Sequence, residues 1–284
     1  MQYPRHLPRL LASLALLGSL GAGSAWASTC AIVVDPADAP GVEALKAKAA
    51  VGDACAQFNL GYVYYTRQAY ALSELWYAQA ADQGVARAAF ELAILYRDEL
   101  LPGGDAKRLP LLEQAANQGL DLAQVELGVD YLLQGDDPQQ QFIAMQWFEK
   151  AAVQGNAHAQ YLLAEEYWTD DNGIQDISSD DGLAERYVSN DDKALQWLCK
   201  AALGGHEQAQ YGLSHAYSIG RGMPSNQIQR RLWLEKAAAS GSQEAIAELD
   251  TSDTAWYTQA EQWLKRQTVS EEARCPDVAL ALEQ

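Results

Sequence analysis

Five times along this chain an Ala-Ala pair is followed, after two further residues, by a glycine. The instances are Ala80-Ala81 before Gly84, Ala115-Ala116 before Gly119, Ala151-Ala152 before Gly155, Ala201-Ala202 before Gly205 and Ala237-Ala238 before Gly241. The intervals between these glycines are 35, 36, 50 and 36 residues. An internal repeat of this period constrains the fold more than composition can, because each repeat must be one supersecondary unit. Four residues before each pair stands Trp76, Leu111, Trp147, Trp197 or Trp233. Counting forward from Gly52, Gly84, Gly119, Gly155 and Gly205 gives a second series. Position +4 holds Ala56, Ala88, Ala123, Ala159 and Ala209, and position +8 holds Leu60, Leu92, Leu127, Leu163 and Leu213. Position +12 holds Tyr64, Tyr96, Tyr131, Tyr167 and Tyr217. Steps of four put Ala, Leu and Tyr on one face of a helix, helix A of each unit. The Trp and the Ala pair lie on helix B, which the glycine ends in a left-handed conformation. Neither helix pair can bury its own apolar face, so neighbours must stack into a continuous core. The chain reads as all-α, an α-solenoid of about five helix-turn-helix repeats with capping helices.

The same residues carry a resemblance. Ala209-Gln210-Tyr211-Gly212-Leu213, then Tyr217, Gly220, Gly222 and Trp233 through to Gly241, resembles a Sel1-like repeat, a relative of the tetratricopeptide repeat. Leu127-Gly128, Tyr131, Trp147 and Lys150-Ala151-Ala152 form a second clear copy, and the unit with Leu111 in place of Trp is the weakest. The reading divides the chain into repeats over 51–84, 85–119, 120–155, 156–205 and 206–241. A segment over 28–50, with Glu43 to Ala50 as its cap, precedes them, and a C-terminal cap and tail over 242–284 follows. Trp256 and Trp263 are expected on the terminal helix that closes the last apolar face. The resemblance implies adaptor or scaffold work, and fold alone does not dictate the task.

Residues 1–27 read as a signal peptide. Arg5, His6 and Arg9 form a basic start, an apolar run from Leu10 to Leu20 follows, and Ala25-Trp26-Ala27 supplies the small residues that a signal peptidase reads. The apolar run is short for a bilayer of about 30 Å. Cleavage after Ala27 and a periplasmic location are therefore expected. A lipid anchor on Cys30 is disfavoured, because Ala27-Ser28-Thr29 lacks the residues a lipobox wants at its first and last positions. No membrane insertion is expected of the mature chain.

All four cysteines, Cys30, Cys55, Cys199 and Cys275, lie beyond the cleavage site. In an oxidising compartment they suggest two disulfides with three possible connectivities. The repeat register puts Cys55 and Cys199 at mostly polar sites several units apart, so both are expected to point outward. The simplest pairing then ties each tail down locally, Cys30 to Cys55 and Cys199 to Cys275. Some exported proteins of the resembled family carry a disulfide in every repeat, a pattern absent here.

Chemistry is harder to find. His206-Glu207 begins like a zinc-protease helix, but no second His follows at i+4, so there is no metal platform. Ser214-His215 are adjacent on a helix and point in different directions. Gly220-Arg221-Gly222 is a turn between helices, and no phosphate cradle or nucleophile elbow is present. No catalytic residue, metal or cofactor is expected. The aromatics of the repeat register are expected in the core, which leaves Tyr161, Trp168, Tyr187 and Tyr211 as surface candidates.

The one departure from the repeat is the fourth unit, 14 residues longer than its neighbours. Its insertion over 169–192 holds Asp170, Asp171, Asp176, Asp180, Asp181, Glu185, Asp191 and Asp192, with Arg186 as the basic residue among them. No EF-hand register fits, since Trp168 or Ile177 would fall at the first ligand position. Insertions in solenoids often belong to the binding face. The candidate contact residues are Trp168, Asp170, Asp171, Asp176, Asp180, Asp181, Tyr187, Asp191 and Asp192.

Thirty-eight acids against twenty bases give a net charge of −18, which disfavours nucleic acid and anionic lipid and favours a protein partner with a basic surface. The expected function is a non-enzymatic interaction module that holds its partner along the concave face. The resemblance sharpens this to an immunity protein that neutralises a secreted effector such as a phospholipase. The alternatives are a scaffold for envelope or exopolysaccharide assembly and a β-lactam-hydrolysing relative.

Overall fold

The structure, a computed structural model, describes residues 30–135, 137–169, 190–251 and 275–276. Among them are twelve helices and no strands. Helix α1 (Ala39–Ala50) precedes five hairpins. These are α2 (Ala54–Thr66) with α3 (Tyr70–Asp82), α4 (Ala86–Arg97) with α5 (Gly104–Asn117), and α6 (Asp121–Leu133) with α7 (Pro138–Val153). They continue with α8 (Ala157–Trp168) and α9 (Asp191–Leu203), then α10 (Glu207–Ile219) and α11 (Gln227–Ala239), and α12 (Gln243–Thr251) follows. Each helix packs chiefly on the helices before and after it. That is the contact pattern of a solenoid, where a unit touches its neighbours and little else. The signal-peptide reading, Trp256 and Trp263 lie outside the described residues.

The repeat register explains the helix ends. The amide of Gly155 donates to Ala152 O at 3.0 Å and that of Asn156 to Ala151 O at 3.2 Å, which satisfies carbonyls the helix leaves open. Gly155 holds a φ of 93°, a conformation an L side chain resists. The other glycine of the motif acts by size. A Cβ on Gly128 would stand 2.5 Å from the Phe148 ring, so only glycine lets α7 approach α6 this closely.

Every Ala at +4 and every Leu at +8 is buried. The aromatics divide differently from the expectation. Trp233 is fully buried, whereas Trp76, Trp147 and Trp197 are half-buried. Tyr96, Tyr167 and Tyr217 are buried, and Tyr64 and Tyr131 are half-buried. Trp147 packs against the first large cluster of the core, and Trp197 packs against two successive clusters. These indoles close the seams between units from the side, so one face stays near solvent. Lysines cover that side: Lys150 Nζ is 3.6 Å from the Trp147 ring centre and Lys200 Nζ 4.6 Å from that of Trp197. Such contacts contribute about 0.5–1 kcal/mol each at exposed sites.

A buried glutamine joins each unit to the next. Gln57, Gln124, Gln160 and Gln210 each send Nε2 to the carbonyl eight residues earlier, on Ala49, Ala116, Ala152 and Ala202, at 2.9–3.2 Å. The acceptor belongs to the closing turn of the preceding helix, so the amide bridges two hairpins inside the core. A buried carbonyl left unpaired would cost about 1–3 kcal/mol. The second repeat has Ala89 at the glutamine position, and there Gln114 Nε2 reaches Ala81 O at 2.9 Å instead. Gln83 and Gln154 donate through Nε2 to Oε1 of the bridging Gln57 and Gln124, an acceptor that Ala89 does not offer Gln118. Its buried Oε1 has no hydrogen-bond partner among the described residues.

Disulfides join Cys30 to Cys55 and Cys199 to Cys275. Cys55 is exposed, but Cys199 is not: it is only 2% exposed, contrary to the polar site that the register suggested. The equivalent sites hold Glu149 and Glu235, both half-buried, and at Cys199 the bonded Cys275 joins the core cluster and completes the cover.

Candidate functional site

The mouth of the insertion is built by three elements. Helix α8 ends at Trp168 and α9 begins at Asp191, capped by Asn190, whose side chain accepts from the Lys193 amide at 2.9 Å. Asp191 and Asp192 therefore sit in the first turn of a helix and not in the loop, where their charges favour the positive end of the helix dipole. The two strands of chain are drawn together where the Asn190 amide donates to Tyr167 O at 2.9 Å.

The third element is the turn after α10. Gly220 and Gly222 both hold positive φ, 74° and 64°, and present Arg221 to the mouth. A Cβ on Gly222 would come within 2.7 Å of Leu195, so this turn lies hard against α9. Arg221 Nη2 donates to Trp168 O at 2.7 Å and Nε to Asp191 Oδ1 at 2.9 Å, and the guanidinium lies 5.4 Å from the Trp168 ring centre. One planar cation thus fastens both ends of the insertion.

Behind the clamp lie two adjacent carboxylates. Glu166 is 5% exposed, and its Oε2 accepts from Gln141 Nε2 at 2.6 Å. Burial pushes its carboxyl above the usual range, against the pull of the Gln141 hydrogen bond. Glu165 is also pushed up, first by burial and then by Glu166, with Arg221 opposing. A carboxyl with a raised folded pKa stabilises the fold while protonated, and that contribution is lost as pH rises through the folded value. Glu166→Gln keeps an acceptor for Gln141 and removes the charge. It is expected to raise stability at pH 7.5 and to change it little at pH 4. Urea unfolding at the two pH values checks this, and an equal gain at both would contradict it.

Of the sequence-selected contact residues, the structure describes Trp168, Asp191 and Asp192, and brings the first two together through Arg221. Trp168 is half-buried, and its Nε1 is buried with no hydrogen-bond partner among the described residues. Asp170, Asp171, Asp176, Asp180, Asp181 and Tyr187 lie outside the described residues. The other surface aromatics are half-buried: Tyr161 stacks on His206, and Tyr211 Oη donates to Glu248 Oε2 at 3.1 Å. Sequence reasoning missed Arg221, whose flanking glycines were visible as a turn. It also missed the Glu165-Glu166 pair, since nothing in a single helical stretch shows that Glu166 faces inward. Among the described residues no group of three or more His, Cys, Asp or Glu could hold a metal ion, and no helix is long and apolar enough to cross a membrane.

The family model described as Sel1 repeat matches residues 56–85, 121–156, 157–189, 178–206 and 207–242. The chain belongs to the Sel1 repeat family. It is thus a protein of the kind that serves as a protein-interaction module. Two Sel1 matches fall on the fourth unit, 157–189 and 178–206, and overlap within its insertion. The second unit, with Ala89 and Leu111 at the positions of the bridging glutamine and the tryptophan, is left unmatched.

Among solved structures, a protective antigen of uropathogenic Escherichia coli superposes with a TM-score of 0.63 at 23% identity, covering 83% of this chain and 52% of its own. A Sel1 repeat protein from Oxalobacter formigenes gives 0.59 at 24%, covering 80% of this chain and 58% of its own. This chain therefore spans only a little over half the length of either, and the likeness is one of fold. An immunity protein from Pseudomonas aeruginosa matches at a TM-score of 0.43 and 18% identity, covering 70% of this chain and 73% of its own. Among curated proteins none matches the sequence.

Proposed function

We propose that this Sel1 repeat protein is an exported, non-enzymatic binding partner of a basic protein, and that it acts as an immunity protein by covering the cationic cleft of a secreted effector. The contact surface is the acidic insertion with Trp168, Asp170, Asp171, Asp176, Asp180, Asp181, Tyr187, Asp191 and Asp192. The observation that carries this reading is the charge balance of residues 170–192, eight acids to one arginine, beside a mouth whose cation is already committed.

The rest of the molecule supports it. Arg87, Arg97 and Arg231 are held in ion pairs with Glu91, Glu126 and Glu235, Arg230 pairs with Glu248, and Lys150, Lys200 and Lys236 lie over tryptophans. Asp82, Glu99, Glu113, Asp192 and Asp250 are exposed. Cations held in place and acids facing outward give a negative field that attracts a basic partner and speeds its encounter. Two disulfides suit an oxidising compartment, as does a leader cleaved after Ala27.

Reversal of Asp180, Asp181 and Asp192 to lysine tests the surface while sparing Asp191, which Arg221 uses. The variant is expected to keep the helical circular dichroism of the parent and to associate with its partner at least about tenfold more slowly at low salt. The difference should shrink as salt is added. An unchanged association rate would remove the insertion from the interface.

A further inference from the structure

Two histidines that stand 48 residues apart meet at the seam between the fourth and fifth repeats. His158, in the first turn of α8, places Nδ1 3.1 Å from Nε2 of His206, with the ring planes 19° apart. His206 is also the N-cap of α10: its Nδ1 accepts from the Ala209 amide at 3.3 Å. Other A helices are capped by oxygens, those of Asp53 on α2 and Asn156 on α8. A histidine has one acceptor nitrogen when neutral and none when protonated, so it is the one capping side chain of the three that a proton can switch off near neutrality.

The hydrogen-bond count fixes the tautomers. Because Nδ1 of His206 accepts, its proton sits on Nε2 and is donated to Nδ1 of His158, which leaves the His158 proton on Nε2. Both basic lone pairs are then in use. A further proton on His206 Nδ1 removes the cap of α10. A further proton on His158 Nδ1 sets N–H against N–H, unless His206 moves its own proton to Nδ1, which again removes the cap. Every protonated state therefore loses either the bridge or the cap.

We propose that His158 and His206 form a pH-sensitive latch between the fourth and fifth repeats, closed when both rings are neutral and released by the first proton bound. His158 is exposed, so protons reach it from solvent, and His206 is half-buried.

Among the described residues no carboxylate holds either imidazolium. Burial alone lowers His158, and burial followed by the charge of His158 lowers His206 to about 4. From α8, Tyr161 faces His206 as a stacked ring, 4.6 Å between centroids. On α10 the Glu207 carboxylate lies beside Gly241, 3.2 Å from where a Cβ there would stand. Asp121 of α6 is held by Asn156 Nδ2 at 2.8 Å, and the turn after α9 brings Gly204 against Ala157. A histidine with a lowered folded pKa binds fewer protons folded than unfolded. Its contribution is complete above the unfolded value of 6.5 and is lost as pH falls toward 4.

The test uses the full oxidised chain and a His206→Asn variant, which keeps a capping oxygen and cannot titrate. Nitrogen NMR of the imidazoles at pH 7.5 should show His206 protonated on Nε2 and bare on Nδ1; the opposite tautomer would overturn the latch. Hydrogen exchange of the Ala209 amide, corrected for intrinsic rates, should lose at least about tenfold protection in the parent between pH 7.5 and 5. In the variant it should lose less than about twofold. Equal losses in the two proteins would also overturn the proposal. Should the variant fail to fold, the tautomer measurement on the parent still decides.

Discussion

Replacement of Cys199 and Cys275 by alanine is expected to cost about 4 kcal/mol. The bond joins residues 76 apart in sequence, and the entropy withheld from the unfolded state grows with the logarithm of that loop. Cys30–Cys55 spans only 25 residues and is expected to contribute about 3 kcal/mol. Both sulfurs of the longer bridge are buried, Cys199 at 2% and Cys275 at 8% exposure, so its loss also opens the core around Leu198 and Trp233. Urea unfolding without reductant should show the difference, and reductant should bring the parent below its unreduced value. A double variant within about 1 kcal/mol of the parent would mean that the tail is not fastened at this point.

Leu127→Ala is expected to cost about 3 kcal/mol, within the range for a buried leucine cut to a methyl. Leu127 is 3% exposed at the centre of α6 and belongs to the first large core cluster, against which Tyr131 packs while also packing on the second. A solenoid is held together by interfaces between neighbours, so damage at a seam also weakens the coupling of the units on either side. Urea unfolding followed by circular dichroism is expected to lose its single sharp transition in this variant. A change below about 1 kcal/mol with unchanged cooperativity would contradict the placement of Leu127.

Repetition made the fold legible. A leucine eight residues after each glycine points inward because five units place it so, and one unit would not have sufficed. What a linear pattern does not carry is which flank of a helix a neighbour covers. Trp147 and Trp233 occupy equivalent positions, yet one stays half-buried at a seam and the other is fully enclosed. Cys199 reads as polar by its equivalents and is buried because Cys275, far away in sequence, covers it. The glutamine motif was visible as a motif, but its work as a bridge to the preceding helix required the carbonyl eight residues back to be located in space. At the candidate site the acids were plain in the sequence, while Arg221, which holds the mouth together, comes from the next repeat and announces itself only as a residue between two glycines.

We propose that this acidic Sel1 solenoid holds one basic protein. Affinity capture of the tagged chain, cut after Ala27, from native periplasmic extract tests it most directly, with bound proteins identified by mass spectrometry at low and moderate salt. A single stoichiometric hydrolase is expected, released by moderate salt and inactive in the captured complex. Recovery of several envelope-assembly proteins, or of no protein at either salt, would contradict it.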